Sequence, residues 1–473
     1  MNWAIALPEI TLSCIAMAIL IFGVLRRDDT FFLSSMFALG GFLLAALLVL
    51  TTSRGVGYHG QFISDAFSSF AKILVLAGAA LSLILSLDYN RKHNIARFEF
   101  PVLMLLSVTG MMVMVSAANL MTLYLGMELQ SLALYVLAAF ARDDLRSSEA
   151  GLKYFVLGAL ASGLLLYGIS LVYGFSGTMD FAALAKVLTR PDSASPGLIV
   201  GVVFVFIGIA FKIAAVPFHM WTPDVYEGAP TPVTVFFSTA PKVAAFALLL
   251  RTMASPFGHL LIAWQQLIVP VSIASMLLGS FAAIGQRSIK RLMAYSSIGH
   301  MGYALIGLAV GTPEGIRGVL IYLIVYVFMS AGAFACIIAM SRRGRSLEQI
   351  TDLSGLAQTD PGLALAMAVF MFSMAGIPPL SGFFGKLYVF LAAVQTGMWT
   401  LAIIGVLTSV VGAYYYLRVV KVMYFDAPEA PLDPRPASLS FVAAASALFT
   451  TFFFVFPAPF VSAAQVAAKA LFG

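Results

Sequence analysis

Charge is scarce in this chain. Only 10% of its 473 residues are Asp, Glu, Lys or Arg, and 61% are hydrophobic, whereas a soluble globular domain is nearer ~25% charged. So little polar surface excludes a soluble exterior and leaves a polytopic membrane protein. Cysteine is almost missing too. Cys14 and Cys336 lie far apart in apolar segments, which argues against a disulfide or a metal site and predicts two buried thiols. There is no CxxC cluster, no paired-histidine spacing and no GxGxxG opening a strand–helix unit, so no cofactor is expected in this chain and any redox chemistry belongs to partners. The N-terminal MNWAIALPEITLSCIAMAILIFGVL lacks a basic n-region and a small-residue cleavage site and reads as a retained first span, not a secretory signal. No low-complexity segment occurs, and no loop has the length of a soluble domain. The longest, near 175–197, has room for a short surface helix.

What the chain does have is apolar length. About fourteen runs can cross a bilayer as helices: 3–24, 30–50, 67–87, 101–118, 120–140, 149–174, 198–220, 232–253, 260–284, 292–310, 316–340, 361–393, 398–423 and 437–457. They are continuous, not dyad-alternating, which predicts an all-α protein without membrane strands. The net charge of +6 is best tested against loop asymmetry, not nucleic acid. With the N-terminus outside, sixteen of the 27 basic residues fall on the inner side, among them Arg26, Arg27, Arg142 and Arg291, and six on the outer side. That bias places both termini on the outer face. The remaining five are all lysines within spans: Lys72, Lys153, Lys212, Lys242 and Lys386.

One acid joins them, since Glu128 alone of the 21 acidic residues falls near the middle of a span. An ionisable side chain at the bilayer centre costs at least about 2.5–3.5 kcal/mol on insertion scales. Such groups face the bundle interior, pair with one another or line a water path. A single pair reads as a structural tie holding helices in register; six groups in one membrane domain point to a titrating role. Desolvation disfavours the charged ammonium and a nearby carboxylate favours it. A lysine whose distance to Glu128 changes can therefore take up and release a proton, which an arginine does not do.

Two of these lysines lie beside broken backbone. In 211-FKIAAVPFHMW-221, Pro217 cannot donate to the carbonyl of Ile213, so the helix kinks or unwinds. Freed carbonyls at membrane depth are tolerated only inside protein or beside water. In 376-GIPPLSGFFGKLYVF-390, Pro378 and Pro379 precede Lys386, and Gly376, Gly382 and Gly385 loosen the segment. GFFGK is not a phosphate loop, because Leu380 and Leu387 stand where Gly and Ser or Thr are required. The broken spans are the seventh and the twelfth, five apart. Five is odd, so spans 4–8 and 9–13 are expected to form two inverted five-helix repeats. The whole reads as one membrane domain: three N-terminal helices in 1–100, the repeats in 101–253 and 260–423, and a C-terminal helix in 437–473.

The histidines divide. His219 follows Lys212 by seven residues, on the same face of an ideal helix and about 10 Å along it. His300, in 294-AYSSIGHMGYAL-305, lies among small and hydroxyl residues with room for water. Each reads either as a satisfied core histidine or as a relay member. His59, His93 and His259 fall in loops. Lys72 and Lys153 fit side chains that snorkel towards an interface.

Three blocks together, 207-IGIAFKIAAVPFHMWTPDVYEGAPTPVTVFFSTAPKVAAFALLLR-251, 290-KRLMAYSSIGHMGYALIG-307 and 374-MAGIPPLSGFFGK-386, resemble the antiporter-like membrane subunits of respiratory complex I. The resemblance covers nearly the whole chain and is greatest to the bacterial subunit N branch, which includes mitochondrial subunit 2. It implies a proton channel in the membrane arm of a heteromultimeric NADH–quinone oxidoreductase of the bacterial inner membrane, with both termini periplasmic. It implies that Glu128 in MELQSLALY partners Lys212, that Lys242 in STAPKVAAF and Lys386 in GFFGK continue the relay, and that Lys153 in EAGLKYFVLGA modulates the pair. Expected partners are the other membrane subunits, above all neighbouring antiporter-like ones, together with lipids but no nucleic acid. FMN, iron–sulfur clusters and quinone are expected in partner subunits. A chain that ends soon after its fourteenth span argues against the largest paralogue, which carries a long lateral helix. Three rival readings remain: a subunit of a multi-subunit Na⁺/H⁺ antiporter, a scaffold whose buried charges only fix packing, and a quinone-site subunit.

Overall fold

In lipid every backbone polar group must be satisfied within its own segment, so long apolar runs fold as helices. The computed structural model describes residues 3–26, 29–190 and 195–472, so Arg27 and Pro191–Ala194 lie outside the described residues. The first six helices are α1 (Leu7–Leu25), α2 (Phe31–Thr51), α3 (Ala66–Lys92), α4 (Glu99–Val115), α5 (Leu120–Ala138) and α6 (Leu145–Ser176). A short α7 (Phe181–Val187) then fills the longest loop, as its length suggested, capped by the Asp180 carboxylate. Next come α8 (Pro196–Ile213), α9 (Trp221–Gly228), α10 (Thr231–Ser238) and α11 (Ala240–Ala254). The chain continues with α12 (Leu261–Ile284), α13 (Ile289–Val310), α14 (Pro313–Ala339), α15 (Leu356–Thr359), α16 (Pro361–Ala375) and α17 (Ser381–Gln395). It closes with α18 (Trp399–Phe425), α19 (Ala437–Phe452) and α20 (Ala458–Lys469).

Among the described residues ten segments are long and apolar enough to cross a membrane on their own, and α4, α16 and α19 are shorter apolar helices. Polar residues just outside the spans set their starts. Asn119, Asp144, Ser195, Ser288 and Thr312 each accept a backbone amide of the first turn, satisfying donors that have no intrahelical partner. The α10–α11 segment and α14 are buried along nearly their whole length, whereas α1, α2, α6, α12 and α18 turn much of their surface outward. Small residues allow the closest crossings. A Cβ on Gly126 of α5 would fall 2.7 Å from the Met114 amide of α4.

The structure departs from the sequence reading in four places. Two short hairpins exist in loops, β1 (Gly55–Gly57) with β2 (Phe62–Ser64) and β3 (Ser341–Arg342) with β4 (Arg345–Ser346). Periodicity within the apolar runs carried no information about them. Cys14 is exposed, on the outward face of α1 beside Met17 and Ile21, and only Cys336 is buried. The apolar run 232–253 is interrupted at Thr239 (φ −112°, ψ −92°), because Pro241 cannot donate to the Phe237 carbonyl. Lys72 does not snorkel: it is buried and pairs at 2.6 Å with Glu9, a buried acid of α1. Both chain ends meet at one face. Trp3 packs edge-on against Tyr58 with ring centroids 5.7 Å apart, and Lys469 shares a cleft with Arg54.

Candidate functional site

The site is built on two interrupted helices. α8 stops at Ile213, Ala214 adopts a left-handed conformation (φ 59°), and the Val216–Pro217 bond is cis. α9 resumes at Trp221, whose indole donates to the Phe211 carbonyl at 3.0 Å. α16 stops at Ala375, Gly376 is left-handed (φ 90°), and the Pro378–Pro379 bond is cis before α17 begins at Ser381. In each case a proline four residues on leaves one carbonyl without its helical donor: Ile213 in the first break, Ala375 in the second. Each of these carbonyls accepts a lysine ammonium. Lys242 donates to Ile213 O at 2.8 Å. Lys386 donates to Ala375 O and Met374 O, both at 3.0 Å, and to Ser409 Oγ at 2.7 Å.

Lys212, last but one in α8, turns the other way. Its Nζ donates to Ser131 Oγ at 2.7 Å and Tyr135 OH at 3.3 Å, both on α5, and lies 6.0 Å from the ring centre of Tyr154. The Trp221 ring stacks on Tyr154 at 4.5 Å and also faces Lys242 at 5.6 Å. All three lysines are buried, and none forms an ion pair among the described residues. An uncompensated buried charge is costly. Hydroxyls, carbonyls and aromatic faces offset that cost here without fixing the proton in place as a carboxylate partner would.

Glu128 precedes Ser131 by three residues and so shares its face of α5. It is half-buried, and its Oε1 is buried without a hydrogen-bond partner. Lys212 therefore rests against the hydroxyls beside Glu128, not on its carboxylate. Lys153 lies apart, half-exposed at the rim, paired with Glu149 and Asp224 at 2.7 Å each. Asp224 also meets Arg291 at 2.8 Å, which joins α6, α9 and α13. His219 sits in the first break with Nδ1 buried and unpartnered, and no hydrogen bond joins it to Lys212 or Lys242. His300 is buried between two tyrosines, Nδ1 2.6 Å from Tyr322 OH and Nε2 3.0 Å from Tyr416 OH.

Hydroxyls span the gap between the two breaks. Ser330 of α14 donates to Ser238 of α10 at 2.9 Å, beside the Thr239 interruption. One turn earlier Tyr326 donates to Ser297 at 2.9 Å, and its ring lies 5.4 Å from His300. Tyr303 then separates His300 from Lys386, whose Nζ is 5.0 Å above its ring. Sequence reasoning missed Ser131, Tyr135, Tyr322, Tyr326, Ser330 and Tyr416. The signal present was tyrosine four residues apart inside an apolar run, as at Tyr322 and Tyr326. Among the described residues no group of three or more His, Cys, Asp and Glu could hold a metal ion.

Residues 117–412 match the family described as NADH:quinone oxidoreductase/Mrp antiporter, transmembrane. The chain is 65% identical to NADH-quinone oxidoreductase subunit N of Granulibacter bethesdensis across all of both chains. It is 59% identical, again across all of both, to the subunit N of Gluconacetobacter diazotrophicus. Among solved structures it is similar to a chain of respiratory complex I from Thermus thermophilus with bound aureothin, at 33% identity and a TM-score of 0.84, over 98% of this chain and 99% of that one. A chain of the Mrp complex from a Dietzia species shares the fold at 23% identity and a TM-score of 0.85, over 100% of this chain and 98% of that one.

Proposed function

Because the chain belongs to the NADH:quinone oxidoreductase/Mrp antiporter transmembrane family, we propose that it is the proton-translocating membrane-arm subunit of an NADH–quinone oxidoreductase. NADH oxidation and quinone reduction take place in partner subunits and alter the electrostatics around Glu128 and Lys212. Lys212 then yields its proton towards Lys242, its neighbour across the Ile213 carbonyl. Ser238, Ser330, Tyr326 and His300, with intervening water, carry it on to Lys386, from which it leaves. Lys153, tied to Asp224, modulates the first pair from the rim. His219 is an alternative carrier beside Lys212.

One observation carries the reading: three lysines buried across the bundle, each held by hydroxyls or freed carbonyls and none by an acid. The finer architecture belongs to the same proposal. With α13 and the three shorter apolar helices added to the ten long segments, the chain makes fourteen crossings and both ends lie on the periplasmic side. Residues 101–253 and 260–423 form inverted five-helix units, flanked by three helices in 1–100 and one in 437–473. Supporting this, the backbone bridges Asn119↔Asp180 and Ser288↔Gln349 each tie the start of one long helix to the segment after the next.

The test is Lys212→Ala in the assembled complex, with proton uptake into reconstituted vesicles measured against NADH oxidation. Pumping is expected to fall by about 10²-fold, the usual contribution of a positioned proton carrier, while assembly persists. Normal pumping would overturn the role of Lys212, and loss of assembly alone would favour a scaffold. Sodium-dependent proton exchange in a parent complex without NADH–quinone activity would favour the antiporter reading.

A further inference from the structure

Two clefts meet on the face that carries both chain ends. The deeper, about 590 Å³, runs between α2, α3, α14 and α20 and is walled by Phe70, Ile73, Ala77, Ile324 and Phe328. Its mouth is shared with a second cleft of about 560 Å³, and the cations there are Arg54 and Lys469. The groove is thus apolar along its length and basic at its rim.

Its dimensions match a lipid. From Ala66 at the rim to Ala77 at the floor, α3 rises about 16 Å at ~1.5 Å per residue. That is about half of the ~30 Å hydrocarbon thickness, or one leaflet. Leu50 and Val466 on its edge are 70% and 54% exposed, so the groove opens sideways to the bilayer. Neither Arg54 nor Lys469 has an ion pair or side-chain hydrogen bond among the described residues. Among the described residues Asp65 is the one carboxylate lining the mouth, and it is taken by Arg251 through two hydrogen bonds of 2.9 Å.

We propose that this groove seats an anionic phospholipid of the leaflet on the side of the chain ends, with an acyl chain along α3 and α14 and the phosphate between Arg54 and Lys469. A zwitterionic lipid fills the same apolar walls but leaves two cations without net countercharge. The occupant also bridges α2 and α20, each of which packs against α3 beside the groove.

The test uses the purified complex in phosphatidylcholine nanodiscs containing phosphatidylglycerol with a photoactivatable acyl chain. Crosslinked peptides are expected within 66–77, 324–328 and 460–466. Unlabelled phosphatidylglycerol should compete and phosphatidylcholine should not. An Arg54→Gln/Lys469→Gln double variant should lose labelling about tenfold while NADH-driven pumping is unchanged. Equal labelling by a phosphatidylcholine probe, adducts confined elsewhere, no labelling because a neighbouring subunit covers the groove, or indifference to the double variant would each overturn the proposal. If the double variant fails to assemble, competition in the unaltered complex decides alone.

Discussion

The two interrupted helices share a backbone and differ in who answers it. Both end on a left-handed residue three positions before the proline, and both free the carbonyl four positions before it. In the second break the responding lysine, Lys386, comes from the same broken helix, one turn into its resumed half. In the first it comes from another helix, α11, in the form of Lys242. Lys212 stands just before the first break, and Met374 occupies the matching place in the second. The break therefore supplies acceptors whether or not its own helix carries the lysine. A donor on the same segment is held by local geometry, whereas a donor on another helix depends on how that helix is anchored.

The largest test of this contrast is Lys386→Met. Met374 already shows that a methionine fits beside such a break, so the complex should assemble while pumping per NADH oxidised falls about 10²-fold. Retained pumping would separate the second break from proton transfer altogether.

Next is the anchor of α11. Arg251, on the same helix as Lys242, is bound by Asp65 and donates from Nε to Val115 O at 3.1 Å. Asp65→Asn leaves Arg251 buried without its counter-ion, which costs about 3–5 kcal/mol. It should loosen the first break, raising hydrogen exchange in 231–254, and leave 361–395 unchanged. The pair also has a pH signature. Burial raises the Asp65 carboxyl, but Arg251 outweighs it and holds the group below the usual carboxylate range. A folded value below the unfolded one gives stability that is complete above about pH 4 and is lost as pH falls through the folded value. Unaltered protein should therefore lose thermal stability in acid, and Asp65→Asn should remove this part of the dependence.

Smaller effects separate the two caps. Gly376→Ala places a Cβ 3.1 Å from Lys386 Cδ and 3.2 Å from its Nζ, at φ 90°. It should lower stability by about 1–3 kcal/mol and shift Lys386, which thermal denaturation and pumping would both register. Ala214→Gly works in the opposite sense. It relieves a left-handed alanine at ~1–2 kcal/mol but adds unfolded-state freedom of ~0.4–1 kcal/mol. The expected net is a rise in Tm of a degree or two; a marked loss would mean that the Ala214 methyl has a packing role.

The lysines and prolines were legible in the sequence because membrane insertion penalises them wherever they lie, so their mere presence is informative. The break in the eighth apolar run had the same signal in Pro241 and fell within a run that otherwise read as continuous. Glu9 was hidden by its nearness to the end of its span, although it pairs with Lys72 at 2.6 Å with both side chains buried. The hydroxyls around Lys212 and His300 were not legible, since Ser131 or Tyr416 becomes a partner only when distant helices meet. Tyrosine within apolar runs is common enough that spacing alone does not single out Tyr322 and Tyr326. Cys14 was misplaced because an apolar run does not say which of its faces meets lipid.

The acceptors of Lys242 and Lys386 are the last carbonyls of α8 and α16, the C-terminal ends of two half-helices. Aligned peptide dipoles gather there to the equivalent of roughly half a negative charge. Each break thus serves its lysine as a counter-ion made of backbone. Unlike a carboxylate, it cannot be protonated or removed by a single side-chain substitution, so the proton has only the amine on which to settle.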